Sequence, residues 1–191
     1  MRNECISAII LAGGKGSRMG GMDKGMLEIN GTTLVEHAMF RIAPHADEIL
    51  ISANRNLDFY SKLGPKVVSD EGCGPLCGLR SGMLEARCAY VLTLPCDTPF
   101  FPEDIACRLM AGLCEADIAI PESGGKTHQA FMLCKKALIA DLAEFIDGGG
   151  RKVREWQSRF KSAIVHFQEG DDFFNINTPE DLALISSGGT R

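Results

Sequence analysis

The sequence predicts an α/β fold of three layers, in which helices cover both faces of a mainly parallel sheet with an antiparallel edge. Short apolar runs that predict strands alternate with helical patterns over the first two thirds of the chain, which is typical of a parallel sheet. A hairpin-like turn at 123–125, followed by closely spaced strands, indicates the antiparallel edge. With 191 residues the chain is within reach of one domain, so we expect a single domain over residues 1–191.

Each element is predicted from local signals. The apolar run from Cys5 to Leu11 predicts a buried first strand. Thr32 or Thr33 is expected to cap a helix that runs to about Ala43, and Thr178 is expected to cap a last helix over 179–186. The other predicted strands are 47–53, 66–69, 90–94, 117–121, 130–134 and 163–167, and the other predicted helices are 57–63, 76–86, 102–115, 137–146 and 152–160.

Composition excludes several classes of protein. The formal net charge is -5 and no Lys/Arg-rich run occurs, so nucleic acid is not an expected partner. No apolar segment reaches the ~18 residues of a membrane span, and the start of the chain does not resemble a signal peptide. We therefore expect a cytoplasmic protein without a membrane partner.

The eight cysteines are expected to be buried thiols in a reducing compartment. Cys5, Cys88 and Cys134 occupy positions in or beside predicted strands where a core residue would lie. Cys73 and Cys77 have no matching second pair, so zinc is not expected.

A glycine-rich stretch at residues 11–25 follows the first predicted strand. Six glycines fall within thirteen residues and alternate with Lys15, Arg18 and Lys24. Glycines allow backbone N–H groups to approach a ligand closely, and successive N–H groups with nearby cations bind anions. A flexible surface loop is the alternative, but linkers are usually Ser-rich and lack regularly placed cations. The stretch therefore predicts a polyphosphate site.

Two common phosphate-binding motifs do not fit this chain. The dinucleotide motif G-x-G-x-x-G would need glycine at position 19, which is Met19. The Walker motif would need glycine at position 120, which is Ile120, ahead of the Gly-Lys-Thr triplet at 125–127.

Polar residues follow three further predicted strands: Asn54, Asp70 and Asp97. The carboxyl ends of parallel strands share one edge of a sheet, so these residues are expected to meet the glycine-rich stretch there. Each alone is more often a helix cap or turn former. A carboxylate beside a polyphosphate suits Mg²⁺, while Lys24 and Arg18 would neutralise phosphate charge. No catalytic triad is indicated, which favours phosphate transfer without a covalent intermediate.

Four motifs in this order resemble the molybdenum cofactor guanylyltransferases, the MobA family of nucleotidyltransferases, nearly end to end. They are L-A-G-G-x-G-x-R-M-G-G-x-D-K-G at 11–25, G-P-L-x-G at 74–78, P-C-D-T-P at 95–99 and N-I-N-T-P-E-D-L at 175–182. The L-A-G-G start of the first motif marks only the wider nucleotidyltransferase superfamily. Its G-G-x-D-K-G end and the N-x-N-T-P element of the last motif narrow the resemblance to the molybdopterin branch.

The resemblance implies a Rossmann-like nucleotidyltransferase that joins GMP from GTP to the terminal phosphate of molybdenum-molybdopterin and releases pyrophosphate. It implies transient contact with molybdopterin-making and molybdoenzyme-maturation proteins. The nucleotide-binding residues that it implies are Leu11, Ala12, Gly13, Gly14, Lys24, Asn54, Asp70 and Asp97. Lys24, Arg18 and Asp97 would act in the reaction, and Asp97 would hold Mg²⁺.

Asn175 and Asn177 fall where the family contacts the pterin, although a turn and cap before the last helix is the alternative. Because they are two residues apart on an extended segment, they share one face, and Ile176 takes the other and is expected to point into the core. A negative charge at either asparagine is expected to weaken molybdopterin binding and to leave GTP affinity nearly unchanged.

The chain departs from the family at His128-Gln129, where His-Pro is frequent, so the acceptor is the less certain substrate. No side chain in the sequence identifies the base as guanine rather than cytosine. A nucleotidyltransferase with another base or acceptor, such as a molybdopterin cytidylyltransferase or a sugar-1-phosphate enzyme, therefore remains an alternative. So does a catalytically silent nucleotide- or cofactor-binding adaptor, against which the intact Lys24 and Asp97 weigh.

Overall fold

The computed structural model of the chain describes residues 4–12, 22–70, 74–168 and 173–186. The strands are β1 (Ile6–Leu11), β2 (Glu28–Ile29), β3 (Thr32–Thr33), β4 (Glu48–Ser52), β5 (Lys66–Val68), β6 (Tyr90–Pro95), β7 (Ile118–Ser123), β8 (Lys126–Thr127), β9 (Met132–Lys135) and β10 (Ser162–His166). The α-helices are α1 (Leu34–Ile42), α2 (Leu57–Ser61), α3 (Pro75–Glu85), α4 (Ile105–Leu113), α5 (Ile139–Asp147), α6 (Val153–Gln157) and α7 (Pro179–Ser186).

The main sheet has the strand order β10-β7-β9-β6-β1-β4-β5. β1 lies between β4 and β6 and is parallel to both. β4 also pairs in parallel with β5, and β10 pairs in parallel with β7. β9 pairs antiparallel with β6 and β7, and the short β8 pairs antiparallel with β7. The α/β class, the mainly parallel sheet and its antiparallel part on the late-strand side are confirmed. β2 and β3 form a separate two-stranded ribbon.

Helices cover both faces of the sheet, and β1 shows why. Ala8 and Ile10 pack into the cluster that includes residues of α1 and α4, whereas Ile9 packs into the cluster that includes residues of α3, α5 and α6. Successive strand side chains point to opposite faces, so an uninterrupted apolar run suits a strand buried on both sides. Complete burial of one isoleucine side chain stabilises the fold by about 1.5–3 kcal/mol relative to exposure.

Local signals fix the element boundaries. Thr33 caps α1, and Glu36 Oε2 accepts hydrogen bonds from Thr33 N at 2.9 Å and Thr33 Oγ1 at 2.5 Å. These bonds lower the pKa of Glu36. At the turn between β7 and β8, Gly124 and Gly125 have φ values of 54° and 72°, a conformation that glycine adopts without strain. The predicted cap and hairpin turn are confirmed.

The expectation of free buried thiols is wrong for Cys5 and Cys88, which form a disulfide. Cys5 precedes β1 and is exposed rather than part of the core. Because β1 and β6 are parallel neighbours, the residues before them come together, with Cα atoms 5.1 Å apart, although 83 positions separate them in sequence. Cys77 is also disulfide-bonded, while Cys134 is a buried free thiol, as expected.

Candidate active site

Three polar residues of the predicted site follow strand ends that lie side by side at the carboxyl edge of the sheet. Leu11 at the end of β1 pairs with Ser52 on one side and Pro95 on the other, and Ser52 pairs with Val68. The residues two positions beyond these three partners are Asn54, Asp70 and Asp97. All three therefore leave the sheet at one edge, Asp97 on one side of β1 and Asn54 and Asp70 on the other.

Lys24 lies in a 3-10 turn over Lys24–Met26 and extends across this edge. Its Nζ donates to Asp97 Oδ2 at 2.8 Å and to Asn177 Oδ1 at 2.7 Å. The side chains of Lys24 and Asp97 are 19% and 22% exposed, so the ion pair is partly shielded from water and still reachable from solvent. One ammonium thus joins the first, third and fourth sequence motifs.

The start of the glycine-rich stretch is held by the sheet itself. Ala12 N donates to Ser52 O at 2.8 Å, and Cys96 N donates to Leu11 O at 3.2 Å. These bonds fix the direction in which the chain leaves β1. Gly13, Gly14 and Arg18, the other predicted residues of this stretch, lie outside the described residues.

Asn54 and Asp70 form a reciprocal pair on the other side of β1. Asn54 Nδ2 donates to Asp70 Oδ1 at 3.0 Å, and Asp70 N donates to Asn54 Oδ1 at 2.8 Å. The pair ties together the segments that follow β4 and β5 at the predicted nucleotide side of the edge.

The second motif places the amino end of α3 against this pair. Gly74 caps the helix with φ of 108°, which only glycine adopts readily. A Cβ at Gly78 would lie 2.5 Å from Ser52 Oγ, 3.1 Å from Leu11 Cδ2 and 3.4 Å from Asp70 Oδ2. Gly78 therefore lets the helix approach the ends of β1 and β4 closely, which explains the glycine of the motif.

The segment before α7 binds to the end of β6. Ile176 N donates to Asp97 O at 2.8 Å, and the Ile176 side chain is buried with Ile29 and Leu34, so its predicted core position is confirmed. Asn175 Oδ1 accepts from Thr98 Oγ1. Asn177 instead faces Lys24, so the two asparagines have different partners.

The last helix begins where the sequence predicts it. Asp181 Oδ2 accepts hydrogen bonds from Asn177 N and Thr178 N, both at 2.9 Å, and Asp181 N donates to Thr178 Oγ1 at 3.2 Å. Thr178 and Asp181 thus satisfy backbone groups at the start of α7. The cap fixes the segment that carries Asn177, and the predicted role of Thr178 is confirmed.

His128, which precedes the departure from the family at Gln129, follows β8. Its ring stacks on Phe173 with centroids 4.2 Å apart, and its Nε2 lies 2.8 Å from Ser123 Oγ. Burial, and then the charge of Lys126, lower the pKa of His128. A neutral imidazole packed on an aromatic ring is the result.

Sequence reasoning missed Asp23, the residue before Lys24. Its side chain is 3% exposed. Both carboxylate oxygens accept hydrogen bonds from other segments, among them the hydroxyl of Tyr60 at 2.7 Å and the amide of Asn56 at 2.9 Å. An acid between glycines and a lysine looks like part of an exposed loop, and no local periodicity marks it as buried.

The buried thiol and the buried phenol near this edge are not suited to be nucleophiles. Burial, and then the neighbouring carboxylates of Asp97 and Asp23, raise the pKa of Cys96 and keep its thiol neutral. Burial and the hydrogen bond to Asp23 likewise raise the pKa of Tyr60. Neither group is therefore prepared for covalent catalysis, whereas the ion pair of Lys24 with Asp97 offers charge and positioning.

The donor set around Asp97 fits a hard divalent cation. Asp97 Oδ2 and Asn177 Oδ1 already converge on a positive charge, the Lys24 ammonium. Carboxylate and amide oxygens are the ligands that such ions prefer, and Mg²⁺ typically takes one or two protein carboxylates besides phosphate oxygens and water.

Comparisons with known proteins identify the family of this chain. The sequence pattern of the MobA-like NTP transferase domain matches residues 8–161. A relative from Ralstonia nicotianae, named molybdenum cofactor guanylyltransferase, is 41% identical over 195 residues, which cover 95% of this chain and 96% of the relative.

Solved structures share the fold. Molybdopterin-guanine dinucleotide biosynthesis protein A from Archaeoglobus fulgidus matches with a TM-score of 0.74 and 21% identity, over 95% of this chain and 97% of that one. A Mycobacterium tuberculosis protein solved in complex with manganese matches with a TM-score of 0.73 and 14% identity, over 96% of this chain and 98% of that one.

The α/β fold and the family match together define the class of this protein, a nucleotidyltransferase. The match over most of the sequence is more specific than the fold. The chain belongs to the MobA-like NTP transferase family, in which its close relative carries the name molybdenum cofactor guanylyltransferase.

Proposed function

We propose that the protein transfers GMP from GTP to the terminal phosphate of molybdenum-molybdopterin and releases pyrophosphate. The observation that carries the proposal is the contact of Lys24 with both Asp97 and Asn177. The first two residues belong to the expected nucleotide side and the third to the expected pterin side, so donor and acceptor phosphates would meet at this lysine. Near full-length similarity to a guanylyltransferase supports the choice of substrates.

In this proposal the protein acts by positioning and charge. Lys24 and Arg18 would neutralise charge on the phosphates as it shifts to the leaving pyrophosphate. The N–H groups at Gly13 and Gly14 would hold the phosphates, and Leu11, Ala12, Asn54 and Asp70 would complete the nucleotide side. Asp97 would hold Mg²⁺, which when bound supplies further positive charge beside the reacting phosphates.

The acceptor side would be formed by Asn175 and Asn177. Burial of Ile176 fixes the segment between them, and Lys24 links that segment to the nucleotide side. His128 is proposed to border the pterin, which is consistent with its position next to Phe173, two residues from Asn175.

We further propose a single nucleotidyltransferase domain over residues 1–191, acting in the cytoplasm and in transient contact with proteins that make molybdopterin or mature molybdoenzymes. In the described ranges, no helix combines the length and apolar character required to cross a membrane.

The decisive experiment is a panel of GTP, CTP, UTP and ATP, each with Mg²⁺, assayed for pyrophosphate release with molybdopterin, with a sugar 1-phosphate and without an acceptor. Release with GTP that depends on molybdopterin is the expected result. Preference for CTP would indicate a cytidylyltransferase, and release only with a sugar 1-phosphate would indicate another acceptor. Nucleotide binding without pyrophosphate release under any condition would favour an adaptor.

A further inference from the structure

Asp23 is a buried carboxylate that connects three segments around the site. Its Oδ1 accepts from Tyr60 Oη at 2.7 Å and from Gly25 N at 3.2 Å, and its Oδ2 accepts from Asn56 Nδ2 at 2.9 Å. Arg55 Nε lies 3.5 Å from Oδ2. A carboxylate removed from water to this extent is stable in a fold only if such partners compensate it.

Residues that bind Asp23 are neighbours in sequence of Lys24 and Asn54, two residues of the proposed nucleotide site. On its own segment, Asp23 caps the 3-10 turn that starts at Lys24, because its side chain accepts the bond from Gly25 N. On the segment after β4, Asn56 and Arg55 immediately follow Asn54. One carboxylate therefore connects the turn that carries Lys24 with the segment that carries Asn54.

Close packing leaves this turn little freedom. Tyr60 is fully buried, and a Cβ at Gly25 would lie 2.4 Å from its hydroxyl oxygen. Asn56 has φ of 52°, in the left-handed region, where its amide can reach Asp23. A second bond, from an Arg55 guanidinium nitrogen to Met22 O at 2.8 Å, holds the residue before Asp23. The start of the turn is thus fixed from two sides.

We propose that Asp23 is a positioning residue for Lys24: it holds the lysine turn against the segment of Asn54, so that the ammonium reaches the phosphates of the bound nucleotide. This inference deepens the proposed function and rests on it for the identity of the ligand. Asp23 itself touches neither substrate; it acts through Lys24.

The test is a double-mutant cycle between Asp23→Asn and Lys24→Ala, with affinity for pyrophosphate and for GTP as the readouts, each with Mg²⁺. Asp23→Asn keeps the size of the side chain. However, an NH₂ group replaces one carboxylate oxygen and points its hydrogens at groups that are themselves donors. We expect affinity to fall about tenfold when Lys24 is present and less than about twofold in the Lys24→Ala background. GMP affinity should change much less than GTP affinity.

A merely structural role would lower stability without making the loss of affinity depend on Lys24. Glu48→Gln is the matched control, because Glu48 is another carboxylate with several donors, Ser7 Oγ, Arg87 N and Arg87 Nε, at the opposite end of β4. It should lower stability and leave pyrophosphate affinity unchanged in both backgrounds. Equal losses for Asp23→Asn with and without Lys24 would overturn the inference.

Tyr60→Phe provides a second variant should Asp23→Asn fail to fold, since it removes one donor to Asp23 and little volume. It should lower pyrophosphate affinity about threefold only when Lys24 is present, and a loss independent of Lys24 would overturn the inference. Pyrophosphate is the product of nucleotidyl transfer from any triphosphate. Coupling with pyrophosphate in a protein that rejects GTP would thus refute the guanine assignment and support the role of Asp23.

Discussion

At the scale of single residues, Asp97 has two functions in the described site. Its carboxylate pairs with Lys24, and its backbone oxygen anchors Ile176. Substitution of the side chain leaves the backbone bond in place, so Asp97→Ala should fold and still present the segment before α7. We expect turnover to fall by about 10²-fold or more, because an electrostatic element beside the reacting phosphates is lost.

Steady-state pyrophosphate release at saturating Mg²⁺ measures this effect, and urea unfolding checks the fold. Asp97→Asn is the closer control, because it retains size and one oxygen acceptor for Lys24. Unchanged turnover in Asp97→Ala would remove this carboxylate from the reaction.

Asn177 and Asn175 should respond differently to a negative charge. The sequence suggested equal behaviour, but Asn177 Oδ1 accepts from Lys24, whereas Asn175 Oδ1 accepts from Thr98. Asn177→Asp would place a second carboxylate at the Lys24 ammonium, which would then bind phosphate less readily. We expect GTP affinity to fall about three- to tenfold in Asn177→Asp, consistent with ~1 kcal/mol for a partly exposed ion pair, and to stay unchanged in Asn175→Asp.

Titration calorimetry with GTP and Mg²⁺ measures both affinities, and molybdopterin affinity should fall in both variants. Equal GTP affinity for the two would show that the contact of Lys24 with Asn177 is absent when nucleotide binds.

At the scale of secondary-structure elements, α3 is placed by its glycines. At Gly78 an added Cβ would meet Ser52 and Leu11. Gly78→Ala gains up to ~1 kcal/mol in helix propensity, but crowding in a packed core costs ~1–3 kcal/mol. We expect a net loss of up to about 2 kcal/mol in the free energy of unfolding and weaker GTP binding, because the helix must move away from Asp70.

Urea unfolding and GTP titration of the same samples measure the two effects. Leu84→Ala is the control on the same helix, since Leu84 is 65% exposed, and it should change stability by no more than ~0.5 kcal/mol. A Gly78→Ala protein as stable as the wild type, with normal GTP affinity, would show that α3 tolerates the extra methyl group.

Helices and strands were predictable from the sequence where local signals decide them. The caps Thr33 and Thr178 and the hairpin glycines act within a few residues, and the apolar run of β1 reports burial on both faces. Contacts between distant positions were not predictable. The Cys5–Cys88 disulfide depends on the register of β1 and β6, and the burial of Asp23 depends on Tyr60, which is 37 positions away.

At the scale of the whole molecule, the dependence of stability on pH follows from which groups are buried. The pKa of His128 lies below its ordinary value of 6.5, first because of burial and then because of Lys126. The unfolded chain therefore binds a proton at this residue more readily than the folded chain does. Stability should fall as pH drops below 6.5 and level off once pH is below the folded pKa.

The pKa values of two carboxylates are also lowered, but they affect a more acidic pH range than His128 does. Burial opposes ionisation of Glu48, but hydrogen bonds from Ser7 and Arg87 outweigh it and lower the pKa of Glu48 from 4.5. Hydrogen bonds from Thr33 lower that of Glu36, also from 4.5. The contribution of these two carboxylates to stability is complete above pH 4.5 and is lost as the pH falls through their pKa values in the folded protein. Between pH 7.5 and 5.5 these carboxylates stay ionised in both states, so this range reports on histidine.

We therefore predict that the free energy of unfolding falls between pH 7.5 and 5.5, with His128 contributing at most ~1.4 kcal/mol, since the range extends one pH unit below 6.5. In His128→Gln the stability at pH 7.5 should be lower, because the stacking on Phe173 is lost, and the decrease toward pH 5.5 should be smaller. Urea unfolding of both proteins at the two pH values measures the loss of stacking and the effect of protonation separately. The same decrease in the variant as in the wild type would show that another group titrates in this range and that His128 has no part in the acid sensitivity.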